Sequence, residues 1–163
     1  MEKFVSKKIK KKTVARLSAV QACYMMEYGQ LALDEVIRDF ALGEIGRYVI
    51  AEDINAMEEM QEVSEMDREY FERILRGVQS NKEELEKSMA LYLKEGWSFE
   101  RMDGTMRALL LCAVYELINT SDVDTKVIIQ EYVDLAYAFF TKSEPRVINA
   151  LLDQIAKVRL EVN

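Results

Sequence analysis

The first residues with a clear chemical pattern are basic. Five lysines lie within residues 6–12 and Arg16 follows them, all directly ahead of an apolar helical stretch. Ammonium and guanidinium groups at this density bind polyanions such as the phosphate backbone of a nucleic acid. The segment is therefore a candidate binding site, and the alternative is a disordered leader that only aids solubility. Its lysines are Lys7, Lys8, Lys10, Lys11 and Lys12.

The remainder of the chain is acidic. Residues 1–16 hold seven basic side chains and one acid, a net charge of +6, whereas the 163-residue chain has a formal charge of −7, so the other residues carry −13. A basic segment on an acidic body attracts a polyanion to one place and repels it elsewhere.

Catalytic chemistry has few candidates. The sequence contains no histidine, no CxxC pair and no glycine-rich phosphate loop, and its two cysteines, Cys23 and Cys112, lie in apolar helical runs. Catalysis at neutral pH usually draws on one of these groups or on a metal. We therefore expect buried reduced thiols, no metal, no cofactor and no enzymatic activity.

The hydropathy pattern argues against a membrane protein. No apolar run reaches the roughly 18 to 20 residues that cross a bilayer, and the N-terminus lacks the apolar core of a secretory signal. The basic segment offers only Phe4, Val5 and Ile9 as apolar groups for a membrane surface. These features predict a soluble, cytoplasmic protein without a membrane partner.

The composition predicts an all-α fold. One proline and six glycines accompany many strong helix formers, and apolar residues recur at steps of three or four. The pattern predicts about seven helices, among them residues 14–29, a short helix from 33 to about 43, and a third over 45–60. Residues 106–118 are apolar nearly all round, which is typical of a central helix.

Local signals refine this prediction. Ser80 followed by Glu83 fits a capping box, so one helix is expected to end before Ser80 and another to begin there. Gly96 is expected to close that helix, and Ser143 to cap the last one. The aromatic side chains fall at helical core spacing, so core packing is the simpler expectation for Tyr24, Tyr28, Phe71, Tyr92, Tyr115 and Phe139. The alternative is that a tyrosine at the edge of the apolar stripe offers its ring or hydroxyl to a partner.

Five segments in order resemble the NusB family of bacterial transcription antitermination factors. The stretch ARLSAVQACY at 15–24 is similar to that family's opening signature, an AR pair followed by QALY. The other four match its mid-chain, central, penultimate and closing helices. They are FERILRGVQSN at 71–81, RALLLCAVYEL at 107–117, KVIIQEYVDLA at 126–136 and RVINALLDQIAK at 146–157.

The resemblance implies a fold and a function. Members are compact helical bundles of two three-helix subdomains, which here gives a basic arm at 1–12 and a single domain at 13–163. With the ribosomal protein NusE they bind single-stranded boxA RNA in nascent ribosomal RNA and load onto RNA polymerase, which then resists termination. A homodimer through the surface meant for NusE is left open by the sequence.

The resemblance also implies site residues. The RNA surface would extend from the lysine segment to Arg16, Gln21, Asn81, Arg146 and Asn149. The NusE surface would include Tyr24, Glu100, Arg101, Met106 and Arg107. Two alternatives stay open, namely that Gln21 only faces solvent and that Asn149 only braces the last helix.

The sequence departs from the family pattern at several positions. Leu111 stands where the central helix often has arginine, while Val147 and Ala150 replace an aromatic residue and a glycine in the closing segment. Met106 stands where the family often has an acid, and the arm is mainly lysine. An alternative to the family function is a helical interaction scaffold that binds polyanions without specificity.

Overall fold

The computed structural model describes the backbone of residues 7–41, 66–94, 96–140 and 143–162. Within these ranges it has six α-helices and no strand, which confirms the all-α prediction. The predicted helix over 45–60 lies outside the described residues. The helices are α1 (Lys7–Gly29), α2 (Leu33–Ala41), α3 (Arg68–Tyr92), α4 (Gly104–Asn119), α5 (Thr125–Phe139) and α6 (Ser143–Val162).

Helix α1 is buried through its middle. Small side chains such as Ala15, Ala19 and Ala22 are fully buried and allow close packing on this helix. The larger rings of Tyr24 and Tyr28 are 41% and 51% exposed, so the prediction that they lie in the core was wrong. Spacing alone placed them on a core stripe, but the alanines occupy the closely packed side.

The chain forms two compact units, Met1–Arg76 and Gly77–Asn163, and the boundary falls inside α3. In the first unit α2 packs on α1. Phe40 of α2 stacks on Phe71 of α3 at a centroid distance of 5.4 Å. Arg76 donates to Glu72 at 2.8 Å and to Asp34 at 3.2 Å. The hydrogen bond to Glu72 raises the pKa of Arg76.

The start of α3 is fixed against α1. Asp67 accepts a hydrogen bond on its side chain from the Tyr70 amide at 3.0 Å, which satisfies a free N–H of the first turn. The Asp67 amide in turn donates to the Lys11 carbonyl at 3.2 Å. These two bonds bring the basic end of α1 to the first turn of α3.

Helix α3 is interrupted in one place. Asn81 leaves helical geometry, with φ −119° and ψ 17°, and its side-chain amide donates to the Gly77 carbonyl at 2.8 Å. The helix break predicted near Ser80 is present as a kink at Asn81, where two helical segments meet. The predicted Ser80 cap is not among the hydrogen bonds of the described residues, and Ser80 is exposed.

Gly77 permits a close approach within the second unit. The ring of Tyr115 crosses Gly77 so closely that a Cβ atom would overlap it. Tyr115 belongs to α4, so the glycine lets α3 and α4 pack at this point. The rest of α3 in this unit buries Leu85 and Met89.

Helices α4, α5 and α6 pack on one another and form the core of the second unit. Aspartates cap two of them, with Asp103 accepting from the Thr105 amide at 2.8 Å and Asp124 from the Lys126 amide at 2.9 Å. Helix α4 is buried nearly all round, as predicted, and Leu111 is 2% exposed. An apolar side chain at that position suits its packing.

The core of this unit contains one polar pair. The Tyr132 hydroxyl donates to Glu116 at 2.6 Å, and both residues are fully buried. A short hydrogen bond to a carboxylate satisfies groups that would otherwise be costly to bury. Cys23 and Cys112 are buried and form no disulfide, as predicted. No described helix is long and apolar enough to cross a membrane.

Candidate nucleic-acid and partner interfaces

Three cations surround one tyrosine ring where α1 meets α3. The Lys12 ammonium lies 4.9 Å from the Tyr70 ring centroid, and the guanidinium carbons of Arg16 and Arg73 lie at 5.1 and 4.8 Å. Such contacts contribute about 0.5–1 kcal/mol at exposed sites and about 2 kcal/mol when desolvated. We refer to Lys12, Arg16, Tyr70 and Arg73 as the Tyr70 cluster.

The members of the cluster differ in burial. Arg16 is 2% exposed and donates to the Tyr70 hydroxyl at 3.2 Å, and Tyr70 itself is 4% exposed. Arg73 is exposed and Lys12 half-buried. A buried ring thus holds one buried cation and two cations that solvent reaches.

The lysine segment occupies the first turns of α1. Lys7, Lys8 and Lys10 lie on helical backbone, and their side chains are outside the described residues. The Lys11 side chain is exposed. Neither Lys11 nor Lys12 pairs with a carboxylate in the described part of the chain. Their charges therefore remain available to an external anion.

Gln21 lies in the protein interior and not on the surface. Gln21 is 8% exposed and Ser18 1% exposed. No described group forms a hydrogen bond with the Gln21 amide or the Ser18 hydroxyl. In this conformation Gln21 does not face solvent, which removes the alternative reading of its role.

The RNA candidates of the second unit are divided between α3 and α6. Arg146 and Asn149 are exposed on α6, whereas Asn81 is half-buried and donates to the Gly77 carbonyl. Val147 and Ala150, which depart from the family pattern, line a groove of about 490 Å³ with the end of α3. The structure brings Arg146 and Asn149 to the same helix, next in sequence to the groove residues.

Two of the partner candidates share a second groove. Glu100 and Arg107 line a groove of about 380 Å³ together with Glu83, Glu86, Lys87, Ala90 and Phe99. Arg107 donates to the Glu100 carbonyl at 3.2 Å, and its guanidinium carbon lies 5.2 Å from the Phe99 centroid. The three glutamates outnumber Lys87 and Arg107, and we refer to these seven residues as the acidic groove.

The other partner candidates are placed differently. Arg101 is exposed in a single 3₁₀ turn next to Glu100. Met106 is 1% exposed, because it belongs to the buried face of α4, and offers no surface to a partner in this conformation. Tyr24 belongs to the first unit, where its ring packs against Tyr28 at a centroid distance of 4.7 Å.

Sequence reasoning missed several residues of these sites. The spacing of Tyr70 in the sequence indicates only a place on an apolar helix face, and Arg73 belongs to no motif. Glu83 was assigned to a cap, and Glu86 carried no signal. The one usable signal was the pair Tyr70 and Arg73, three positions apart, which places both side chains on one helix face.

The described residues contain no group of three or more potential metal ligands from the His, Cys, Asp and Glu side chains. Both regions are instead surfaces of fixed charge with an aromatic ring beneath a cation. Such surfaces bind charged macromolecules through electrostatic complementarity.

Comparison with known proteins identifies the family. The NusB family model matches residues 13–157. The transcription antitermination protein NusB of Caulobacter vibrioides is 39% identical over 150 residues, which covers 92% of this chain and 95% of that protein. NusB of Brucella ovis is 36% identical over 148 residues, covering 91% and 81%.

Solved structures agree on the fold. T. maritima NusB has a TM-score of 0.63 at 24% identity, covering 90% of each chain. The solution structure of NusB from Aquifex aeolicus has a TM-score of 0.65 at 19% identity, covering 94% of this chain and 92% of that one. From the family match and the identities to its relatives, we conclude that the chain belongs to the NusB family of transcription antitermination proteins.

Proposed function

We propose that this protein binds boxA-type single-stranded RNA in nascent ribosomal RNA together with NusE, and that the complex helps RNA polymerase to resist termination. RNA binding is supported chiefly by one observation, that lysines at the basic end of α1 are not neutralised by carboxylates of the described residues. Lys11 and Lys12 have no carboxylate partner among the described residues, while Asp67 ties their helix to α3. A cationic surface that is anchored but not neutralised suits a phosphate backbone.

The RNA-binding step follows from this charge. Single-stranded RNA is held by cations that follow its phosphates and by side chains that contact its bases. The lysine segment supplies the cations, and Arg146 and Asn149 are exposed groups for further contacts. Arg16 is buried beside Tyr70, so we assign it the role of positioning α1 and not of touching phosphate.

Two RNA candidates take indirect roles in the proposal. Asn81 holds the interruption of α3 through the Gly77 carbonyl and presents its half-buried side chain there. Gln21 is buried with both amide atoms unbonded, so it reaches RNA only after a local rearrangement of α1. Substitution of either residue is therefore expected to change RNA affinity less than loss of the exposed lysines.

The acidic groove supports the NusE half of the proposal. Glu83, Glu86 and Glu100 line it, and a basic ribosomal protein complements their charge. Arg101 and Arg107 flank Glu100 and can meet acidic groups of the same partner. Tyr24 is exposed, and its amphipathic ring fits a protein contact. Met106 supports α4 from within and is not assigned a direct contact.

The proposal includes a division of labour. The body of the protein is acidic and binds RNA weakly by itself, while a bound basic partner adds contacts and raises the effective affinity. In this scheme residues 1–12 act as the basic arm of the domain at 13–163, with residues 7–12 helical. The protein acts in the cytoplasm, where transcription takes place, without catalysis or a membrane partner.

A titration tests the function. The protein, with and without NusE, is titrated against a boxA-type RNA and a scrambled control over a salt series. Each neutralised phosphate contributes a slope of about 0.7 in log affinity against log salt, so four or five contacts give a slope of roughly −3. We expect preference for boxA and tighter binding with NusE.

The titration also separates the alternatives. Equal binding to both RNAs, with no effect of NusE, would reduce the protein to a nonspecific polyanion-binding scaffold. Failure to retain NusE at low salt would remove the partner. Analytical ultracentrifugation of the protein alone and with NusE distinguishes a homodimer that competes with NusE from a monomer.

A further inference from the structure

We propose that Lys12 and Arg73, the two cations of the Tyr70 cluster that solvent reaches, bind one backbone phosphate of the RNA, and that Arg73 is an RNA-binding residue outside the lysine segment. This inference rests on the proposed function, because it assumes that single-stranded RNA follows the basic end of α1. It assigns a role to a residue that no sequence motif singles out.

The first argument is the crowding of like charge. Each of the three cations lies 4.8 to 5.1 Å from the centroid of the Tyr70 ring, so the distance between any two of them cannot exceed the Debye length of about 10 Å at 0.1 M salt. Salt therefore screens their mutual repulsion only partly. An anion bound by the two solvent-accessible cations, Lys12 and Arg73, converts their repulsion into attraction.

The second argument is a contrast between two arginines on α3. Arg76 binds Glu72 and Asp34, so the protein neutralises it internally. Arg73, three positions earlier, has the Tyr70 ring as its partner and forms no hydrogen bond or ion pair with the described residues. The fold therefore leaves one of these two neighbouring charges open to a ligand.

The third argument concerns the kind of anion. A contact with an aromatic ring engages the guanidinium group without using its N–H donors, and arginine binds phosphate with two parallel hydrogen bonds. Lys12 belongs both to the cluster and to the lysine segment on α1. An RNA strand that follows the lysines thus reaches Arg73 on α3. A single carboxylate would contact only one of these cations and would not use the row of lysines that leads to Arg73.

Arg73→Gln is the test variant, and Arg38→Gln is its control. Both side chains are exposed in the first unit, and Arg38 has no described contact with the Tyr70 ring. Fluorescence anisotropy measures binding of a boxA-type RNA by each full-length variant with NusE across a salt series. Circular dichroism melts check that both variants fold.

We expect Arg73→Gln to lower RNA affinity about fivefold at 0.1 M salt and the salt slope by about 0.7, the value for one phosphate contact on a single strand. Arg73→Lys should retain the slope and lose part of the affinity, because lysine keeps the charge but not the planar fork. Arg38→Gln should change neither quantity.

Three results would overturn the inference. The first is an unchanged slope in Arg73→Gln, and the second is an equal loss in Arg38→Gln. The third is full competition by poly-glutamate at equal charge concentration, which would show a site for acidic protein. If the unmodified protein fails to bind the RNA, the proposed function fails. If the unmodified protein binds the RNA and Arg73→Gln binds it equally well, the proposed function stands but this site does not.

Discussion

The Tyr70 cluster and the acidic groove each place an arginine over an aromatic ring, in opposite charge surroundings. Arg73 lies over Tyr70 with two further cations. Arg107 lies over Phe99 with three glutamates lining the same groove. The contact geometry is nearly the same, at 4.8 and 5.2 Å. The surrounding charges therefore decide which ligand each region suits.

Under the proposed function, this difference explains how one acidic chain binds RNA in one region and a basic protein in another. A ring holds a cation without neutralising it, so the cation's effect depends on its other neighbours. In the first region Lys12 and Arg16 add positive charge, which suits the proposed phosphate contact. In the second region three glutamates outnumber Lys87 and Arg107, which suits the proposed basic partner.

The largest expected effect comes from removing the lysines of the first region. Replacing Lys10, Lys11 and Lys12 with glutamine should remove up to three phosphate contacts and lower RNA affinity about 100-fold at 0.1 M salt, which is about 2.7 kcal/mol. Anisotropy titration measures this loss. The affinity for NusE, measured by calorimetry, should stay unchanged. An equal loss of NusE affinity would show that the lysines and the acidic groove do not bind separate ligands.

A smaller effect is expected from Gly77→Ala, which acts on the second unit alone. The added methyl group overlaps the Tyr115 ring, and overpacking of this kind costs about 1–3 kcal/mol. Urea denaturation measures the change. Ser80→Ala is the control and should cost less than about 0.5 kcal/mol, because Ser80 is exposed and is not the cap that its sequence suggests.

Charge reversal in the acidic groove should have a still smaller effect on binding. Glu100→Lys places a cation where a basic partner docks and should weaken NusE binding about tenfold, or about 1.4 kcal/mol, mainly through the association rate. Asp122→Lys, an exposed change of equal charge in the loop before α5, is the control. Equal losses in both variants would show that only net charge matters.

The smallest expected effect lies at the end of α1. Gln30 has a φ of 54°, a left-handed conformation that glycine adopts without steric cost. Gln30→Gly should raise the free energy of unfolding by about 0.5 kcal/mol after the entropy of glycine is subtracted. Urea denaturation detects it, and Ala32→Gly should instead lower stability. RNA affinity should not change, since the charge of the first region is untouched.

Much of the fold was predictable from periodicity. Steps of three or four residues predict one buried helix face, and the residues that follow this spacing in α3 and just before it are buried: Met66, Tyr70, Phe71, Ile74, Leu75 and Val78. Nearly all of α4 is buried as predicted. The prediction failed at Tyr24 and Tyr28, because spacing identifies a face of a helix but not which face the core covers. The break near Ser80 was predicted within one residue, but the side chain that bonds the backbone there is Asn81, which donates to the Gly77 carbonyl, and not Ser80.

The candidate sites were predictable only in part. Clusters adjacent in sequence, such as the lysine segment, are visible by inspection, and family resemblance supplied Glu100 and Arg107. Burial of Arg16, Gln21 and Met106 was not visible, because each is polar or flexible enough to stand on a surface. Their direct contact with RNA or partner stays a prediction, and the structure favours supporting roles for them.

The sequence by itself determined the helical class, the family and the concentration of positive charge at one end, because these properties depend on local periodicity and on composition. Only the tertiary structure decided which charges stay open. Arg73 and Arg76 lie three residues apart and look alike in sequence, yet a carboxylate 42 positions away, that of Asp34, helps neutralise one and not the other. Pairing depends on distances in space, and those are set when the helices pack.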